Sequence, residues 1–226
     1  MSGRIFLHFN PPEQAVLPPS GFRGPPESEV TRRAEILKLI PKASIGAELG
    51  VFCGNLSAAL IAQARPTRLH LIDPWWKANG DFYADWGTYT DFGRLGTAQA
   101  YALTIDNLVR GLGEGDVHIH NEFSTDWLNS IPDNYLDWAY IDSSHAFEQT
   151  LQELYLLERK VKKTGIVFGD DFYPNENHQH HGVYQAVQKF TREAAYDLVY
   201  ADANMQWAIK PAPHNAPYGT SRLTTI

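Results

Sequence analysis

The spacing of apolar residues along the chain predicts the order of its helices and strands. In residues 29–40 the apolar side chains Val30, Ala34 and Leu37 recur at helical spacing, and Pro41 ends the pattern. A first amphipathic helix is therefore expected over residues 29–40.

Strand-like apolar runs then alternate with helical ones. The predicted strands are residues 44–49, 68–72, 117–120, 136–141, 165–169, 197–201 and 205–210, and the predicted helices among them are residues 56–64, 98–111, 146–161 and 183–194. Such alternation is typical of a parallel sheet whose two faces are covered by the connecting helices. We expect a doubly wound, Rossmann-like α/β domain with a seven-stranded, mostly parallel sheet, an antiparallel final edge strand and helices on both faces.

Three segments lack this periodicity. Residues 10–26 are rich in proline and glycine, which predicts an extended arm over residues 1–28. The alternating pattern then predicts a domain over residues 29–212, followed by a tail over residues 213–226. Residues 74–96 are too long for an ordinary strand-to-helix connection, yet they are rich in aromatic side chains. Two interpretations stay open for them: a lid over a binding site, or a satellite hydrophobic cluster or oligomer contact.

Composition and charge narrow the possible partners. The chain has 26 acidic and 19 basic side chains, a formal net charge of -7 and no long basic run, which disfavours nucleic acid as a substrate. Cys53 is the only cysteine, so no intrachain disulfide can form. The sequence shows neither a signal peptide nor an apolar run near the ~20 residues of a membrane helix. We expect a cytoplasmic protein without nucleic-acid or membrane partners, and a homo-oligomer stays possible.

A glycine-containing turn follows the first strand of the alternating region. Gly50 and Gly54 allow a tight bend and a close approach of the backbone to a ligand, although their spacing differs from the dinucleotide-binding pattern. Glu48, just before the turn, suits a cationic ligand better than a pyrophosphate. The next strand ends at Asp73, whose carboxylate offers two acceptor oxygens to ribose hydroxyls. A helix-capping glycine turn without a ligand is the alternative.

The run ELGVFCG at residues 48–54 resembles the first motif of class I methyltransferases and is close to the form in catechol O-methyltransferase-like enzymes. The resemblance implies S-adenosylmethionine as cofactor, with its amino-acid end at Glu48, Gly50 and Gly54 and its ribose on Asp73. Family members place adenine after the third strand, here at residues 121–124, where Ser124 is the candidate contact. A helix start capped by Ser124 or Thr125 is the alternative.

Three carboxylates end the next two predicted strands. Asp142 follows residues 136–141, and Asp170 and Asp171 follow residues 165–169. Adjacent parallel strands place their carboxyl ends side by side, and converging carboxylates repel one another unless a cation joins them. Oxygen ligands suit a hard ion such as magnesium. The alternative is a set of structural acids.

These segments resemble the metal-dependent small-molecule O-methyltransferases, both the catechol type and the macrolide or aminocoumarin sugar type. The resemblance covers residues 48–210 and implies Mg²⁺ ligands at Asp142, Asp170 and Asp171, with Asp142 also at the cofactor. Many sugar-modifying relatives have a second acid where this chain has Ser144. The implied reaction is methyl transfer to a hydroxyl of a small-molecule acceptor.

Histidines near these acids are candidates for proton transfer or ligation. His145 is the candidate catalytic base, since imidazole titrates near neutral pH and looser relatives carry a histidine at this place. A histidine that packs the helix start is the alternative. His178, His180 and His181 lie in a polar loop, for which a solvated loop is the preferred interpretation, with His181 singled out as a pocket residue or ligand.

Two other functions are compatible with the pattern. A looser resemblance to proteins related to cephalosporin hydroxylase keeps the fold and changes the reaction. The chain lacks cysteine ligands and shows no facial histidine–acid motif, which disfavours iron chemistry. The second alternative is a non-catalytic nucleoside-binding module, which methyl transfer to any acceptor would eliminate.

Overall fold

The computed structural model describes residues 3–212, and these contain one eight-stranded sheet. Its strands are β1 (Ile5–Leu7), β2 (Ile45–Leu49), β3 (Arg68–Ile72), β4 (Asp116–His120), β5 (Leu136–Ile141), β6 (Val161–Gly169), β7 (Tyr196–Ala201) and β8 (Trp207–Pro211). Their order is β1-β4-β3-β2-β5-β6-β8-β7. Strands β1 to β6 pair in parallel, and β8 pairs antiparallel with both β6 and β7. The prediction of a doubly wound α/β fold is confirmed. The sheet has eight strands in place of seven, and the antiparallel strand is β8, which lies between β6 and the edge strand β7.

The additional strand lies within the predicted arm. Ile5 pairs with Val117 and Leu7 with Ile119, so β1 extends the sheet beyond β4. A run of three residues is too short to show a strand period, because one alternation cannot be told from chance. Residues 1–28 are therefore not an extended arm throughout. The predicted tail, residues 213–226, lies outside the described residues.

The described residues also form eight α-helices: α1 (Glu27–Thr31), α2 (Ala34–Leu37), α3 (Asn55–Ala64), α4 (Trp75–Asn79), α5 (Thr97–Gly111), α6 (Ser124–Ser130), α7 (Phe147–Lys160) and α8 (His181–Glu193). Helices α3, α5, α7 and α8 confirm the long periodic segments. The predicted helix over residues 29–40 is instead two short helices that part at Arg32 and Arg33. Helices α4 and α6 are too short for periodicity to predict.

Both faces of the sheet are buried. Leu60 of α3 and Leu103 of α5 belong to one buried cluster with Trp138 of β5, and Leu154 of α7 and Val187 of α8 belong to a second cluster on the other face. Burying one such side chain contributes roughly 1.5–3 kcal/mol. This two-sided core explains why the central strands are almost continuously apolar.

The direction of the strand order changes at β2. Strand β3 follows on one side of β2, and β5 lies on the other side. In open α/β sheets, ligands bind at the carboxyl ends of the strands where the order changes in this way. No helix between residues 3 and 212 combines the length and apolar character needed to cross a membrane.

Candidate active site

A cavity of about 940 Å³ opens at this change in strand order. Small-molecule sites typically have volumes of about 300–1,000 Å³. The predicted site residues in its wall are Glu48, Gly50, Asp73, Ser124, Asp142, His145 and Asp171. Of the other predicted residues, Gly54 and Asp170 lie outside the wall. The structure thus brings both halves of the predicted site to one volume.

Asp73 holds the glycine-containing turn through backbone hydrogen bonds. Its Oδ2 accepts from the N–H groups of Val51 at 2.9 Å and Phe52 at 2.8 Å, and its Oδ1 accepts from Trp75 N–H at 2.7 Å. Burial raises the pKa of Asp73, whereas these three bonds favour the carboxylate. A carboxylate offers about four acceptor positions, so one remains for a ligand. Asp73 can bind one ribose hydroxyl with these bonds intact, where the sequence predicted both.

Gly50 and Gly54 both have left-handed backbone, with φ of 90° and 73°. A Cβ on Gly50 would lie 2.0 Å from the carbonyl oxygen of Asp142, whereas one on Gly54 would lie 2.8 Å from Cα of Thr104 in α5. Gly50 therefore lets the ends of β2 and β5 meet at the cavity. Gly54 allows α3 to pack against α5, so the predicted cofactor contact at Gly54 is not part of the cavity wall.

Glu48 places a buried carboxyl group in the cavity wall. The residue is 1% exposed, and its Oε2 accepts a hydrogen bond from Ser57 Oγ at 2.5 Å. Burial raises the pKa of Glu48 well above its usual range. A positively charged ligand would favour its ionised form, because opposite charge offsets the cost of desolvation.

Helix α6 begins at Ser124, and its N-cap residue is Phe123, which makes no side-chain cap bond. Neither Ser124 nor Thr125 therefore caps the helix. The Ser124 hydroxyl donates to Oε1 of the buried Glu153, and Ser143 Oγ donates to Oε2 of the same carboxylate at 2.8 Å. Because the Ser124 hydrogen is engaged, its oxygen is left to accept a hydrogen bond from a ligand. An exocyclic amino group is such a donor.

The three aspartates converge as predicted, with one oxygen from each within 4.8 Å of the others. Two arginines that the sequence reasoning missed lie among them. Arg33 Nη2 lies 3.1 Å from Asp142 Oδ2 and also contacts Asp170 Oδ2, and Arg32 Nη1 donates to Asp170 Oδ1 at 2.7 Å. The sequence did contain a signal that Arg33 is buried: it lies between Val30 and Leu37 on the apolar face of the predicted helix.

The negative charge of Asp170 is already balanced by neighbouring arginine side chains. Both of its oxygens accept hydrogen bonds from guanidinium groups, and Gln206 Nε2 donates to Oδ1 as well. The residue is 2% exposed. This arrangement disfavours Asp170 as a magnesium ligand, because Arg32 and Arg33 already supply its positive counter-charge. Magnesium binding stays a prediction.

His145 lies between two of these carboxylates. Its Nε2 is 3.2 Å from Asp142 Oδ1 and 3.0 Å from Asp171 Oδ2. Burial favours a lower pKa, but hydrogen bonds and charge from Asp142 and Asp171 outweigh it and raise the pKa of His145 to about 10. The ring is therefore protonated at neutral pH in this arrangement, contrary to the near-neutral pKa expected of the base.

The backbone at this point is also unusual. His145 and Asp171 have left-handed φ angles of 60° and 64°. Such angles cost a non-glycine residue of order 1–3 kcal/mol and cluster at functional sites.

The histidine loop reaches the cavity through His178 and His180. His180 Nδ1 lies 3.1 Å from Asp171 Oδ1, and its ring stacks on His145 with centroids 4.2 Å apart. His181, which the sequence reasoning singled out, instead begins α8 with its Nδ1 2.9 Å from the carbonyl oxygen of Tyr173. His145, Asp171 and His180 have ligand atoms within 4.8 Å of one another, an arrangement of two histidines and one acid that no motif in the sequence indicated.

The aromatic segment over residues 74–96 contributes to both the core and the cavity. Trp75 and Tyr83 are buried, and Phe52 of the glycine-containing turn packs on Tyr83 and Tyr89. Tyr83, Tyr89 and the half-exposed Trp86 line the cavity. The segment therefore covers the predicted cofactor turn, and its closure over bound ligands stays a prediction.

Comparison with solved structures shows the same fold at low identity. A Corynebacterium glutamicum protein is 11% identical with a TM-score of 0.58, and the match covers 87% of each chain. A putative rRNA methylase from Clostridium thermocellum is 14% identical with a TM-score of 0.54 over 82% of this chain and 96% of that one. Precorrin 8w decarboxylase from Methanobacterium thermoautotrophicum is 17% identical with a TM-score of 0.52 over 89% and 97%.

Sequence comparison identifies the family. No curated protein sequence matches the chain. The model of a methyltransferase domain family matches residues 47–172, which run from the strand before the glycine-containing turn to the carboxylates after β6. With more than half of its length matched and the fold of class I S-adenosylmethionine-dependent methyltransferases, the chain belongs to this methyltransferase domain family.

Proposed function

We propose that this protein transfers the methyl group of S-adenosylmethionine to a hydroxyl of a small molecule, with a divalent cation assisting. The observation that carries the proposal is one cavity of about 940 Å³ that joins the glycine-containing turn to the carboxylate and histidine cluster. Methyl transfer requires the donor and the acceptor in one enclosed volume, with the attacking oxygen in line with the methyl group.

The walls near the turn offer complementary groups for the cofactor. Glu48 is placed to attract the charged amino-acid end, Asp73 keeps one acceptor position for a ribose hydroxyl, and Ser124 Oγ can accept from the adenine amino group. S-adenosylmethionine supplies an electrophilic methyl group when bound. The segment with Trp86 and Tyr89 would exclude water from it.

The opposite walls suit the acceptor. His145 holds a proton at Nε2 between Asp142 and Asp171, and it can act as the base once that proton has been released. A divalent cation at this end would lower the pKa of the acceptor hydroxyl. The net charge of -7 supports a small-molecule acceptor over a nucleic acid. A cytoplasmic location is part of the proposal.

Calorimetry and product analysis test the proposal. We expect S-adenosylmethionine and S-adenosylhomocysteine to bind, and labelled methyl groups to reach at least one member of a panel of catechols and hydroxylated sugars. Exhaustive chelation should abolish transfer, and added divalent ions should restore it.

Each part can fail separately. Absence of cofactor binding would refute the proposal as a whole. Cofactor binding without transfer to any acceptor would favour the non-catalytic module, and full activity after chelation would remove the cation from the mechanism. Oxygen insertion in place of methylation would favour the relatives of cephalosporin hydroxylase.

A further inference from the structure

Three side chains from separate loops face one another at the acceptor end of the cavity. His145 precedes α7, Asp171 follows β6 and His180 precedes α8. Their nearest atoms are 3.0 Å apart for His145 Nε2 and Asp171 Oδ2, and 3.1 Å apart for His180 Nδ1 and Asp171 Oδ1. The side chains are 28%, 10% and 27% exposed in chain order, so solvent can reach them.

The contact between His180 and Asp171 has the length of a hydrogen bond without its geometry. His180 Nδ1 is a buried nitrogen that has no hydrogen-bond partner among the described residues. Ligand atoms that bind the same ion lie at such a distance without a hydrogen bond between them. With metal–ligand distances of about 2.1 Å, neighbouring ligands at a right angle lie about 3.0 Å apart. The separations of 3.0 Å and 3.1 Å, each to a different oxygen of Asp171, are close to that value.

The chemistry of this set differs from that of the three aspartates. Asp170 is neutralised by Arg32 and Arg33, whereas Asp171 receives no guanidinium. Imidazole nitrogens suit iron, cobalt, nickel and zinc, and magnesium prefers oxygen ligands. Two histidines and one carboxylate on one side of an ion leave its other positions open to substrate oxygens.

We propose that His145, Asp171 and His180 bind a divalent transition-metal ion, in place of magnesium on Asp142, Asp170 and Asp171. The inference rests on the metal-assisted form of the proposed function and deepens it, because it names the cation and its ligands. His145 would then act as a ligand in place of a base, with the ion displacing its Nε2 proton and lowering the pKa of the acceptor hydroxyl. It leaves Asp170 as a structural acid that anchors Arg32 and Arg33.

Metal binding to the full chain without cofactor or acceptor tests the inference. Co²⁺ is titrated while its visible absorption and the heat of binding are recorded, and Mg²⁺ and Zn²⁺ are added as competitors. We expect one Co²⁺ per chain, displacement by Zn²⁺ and no displacement by Mg²⁺. His180→Gln should weaken Co²⁺ binding at least about 10-fold, since even supporting residues of metal sites change affinity about 10–100-fold.

The matched control is His181→Gln, which changes the neighbouring histidine outside the cluster and should leave Co²⁺ affinity unchanged. Circular dichroism and thermal unfolding establish that each variant is folded. Equal Co²⁺ affinity in the wild type and a folded His145→Gln/His180→Gln double variant would overturn the inference. So would Mg²⁺ binding that Asp170→Asn abolishes and His180→Gln leaves intact. A protein that binds Co²⁺ in the expected way but never binds S-adenosylmethionine would refute the proposed function and keep the metal site.

Discussion

The two walls of the cavity are built by different kinds of interaction. Around the glycine-containing turn, Asp73 accepts three backbone hydrogen bonds from residues at most 22 positions away. At the acceptor end, side-chain ion pairs join residues that are far apart in sequence, with Arg33 bound to Asp142 across 109 positions and Arg32 to Asp170 across 138. One wall is held by the main chain and the other by a balance of charges.

The two walls should differ in how well they tolerate mutation. Backbone donors remain when a neighbouring side chain is changed, so the turn depends mainly on its single acceptor, Asp73. In the charged wall, removing one partner leaves the opposite charge buried, which costs more than the lost contact itself. The acceptor end should therefore be the more fragile of the two.

The largest expected effect is at His145 of the charged wall, the base of the proposed methyl transfer or a ligand of the proposed metal ion. His145→Ala should lower turnover by about 10²- to 10⁴-fold, the usual contribution of general acid–base catalysis. Cofactor affinity should stay nearly unchanged, because the cofactor contacts lie on the other wall. Steady-state kinetics and calorimetry measure both quantities, with His181→Ala as the control. Wild-type turnover in a folded His145→Ala protein would show that another group takes the proton.

The same residue should make stability depend on pH. The folded-state pKa of His145 is raised from about 6.5 to about 10, so protonation stabilises the folded protein. This contribution is complete below about pH 6.5 and is lost as pH rises toward about 10. Urea unfolding of the metal-free protein across that range should show wild type losing stability relative to His145→Ala. A constant difference would contradict the raised pKa.

The next effect concerns Arg33, whose side chain is 6% exposed between Asp142 and Asp170. Arg33→Met should lower the free energy of unfolding by about 3–5 kcal/mol, because two carboxylates lose a buried partner. Arg94→Met is the matched control: its side chain is 68% exposed in the pair with Asp91, so its loss should change the free energy of unfolding far less, because solvent screens an exposed pair. Similar losses of unfolding free energy in the two variants would mean that the buried ion pairs of Arg33 contribute no more to stability than an exposed pair.

On the backbone-held wall, Asp73→Ala should weaken S-adenosylmethionine binding by about 1.5–3 kcal/mol, the range for a hydrogen bond to a charged group. It should also lower stability, since the N–H groups of Val51, Phe52 and Trp75 lose their acceptor. Calorimetry and thermal unfolding report the two effects separately. Undiminished affinity in a folded variant would remove Asp73 from the cofactor site.

The smallest effect on stability is expected in the aromatic segment. Trp86 is 53% exposed and lines the cavity, so Trp86→Ala should reduce turnover while unfolding changes by no more than about 0.5 kcal/mol. Phe92→Ala removes another exposed aromatic, 58% accessible and outside the cavity wall, and should leave turnover unchanged. Closure further predicts protection of the segment from proteolysis when both ligands are present. Equal turnover in the two variants, or equal proteolytic cleavage with and without the ligands, would favour the satellite-cluster interpretation.

Features encoded over a few neighbouring residues could be predicted from the sequence. The apolar runs of β2 and β3 and the long helices α3, α5, α7 and α8 were located to within two residues or so, because burial on a regular backbone imposes a local period. The turn with Glu48 and Gly50, and the convergence of Asp142 with Asp171, followed from a contiguous motif and from the rule for adjacent parallel strands.

Only the tertiary structure decided which charges meet. It placed Arg33 on the aspartates, directed His180 to Asp171 while His181 begins a helix, and added β1 to the sheet. These contacts join separate segments, and their choice depends on where each loop returns to the sheet and on which charges a buried site must balance. A local period carries no information about such pairings, because they are set by distances between segments that only the folded backbone defines.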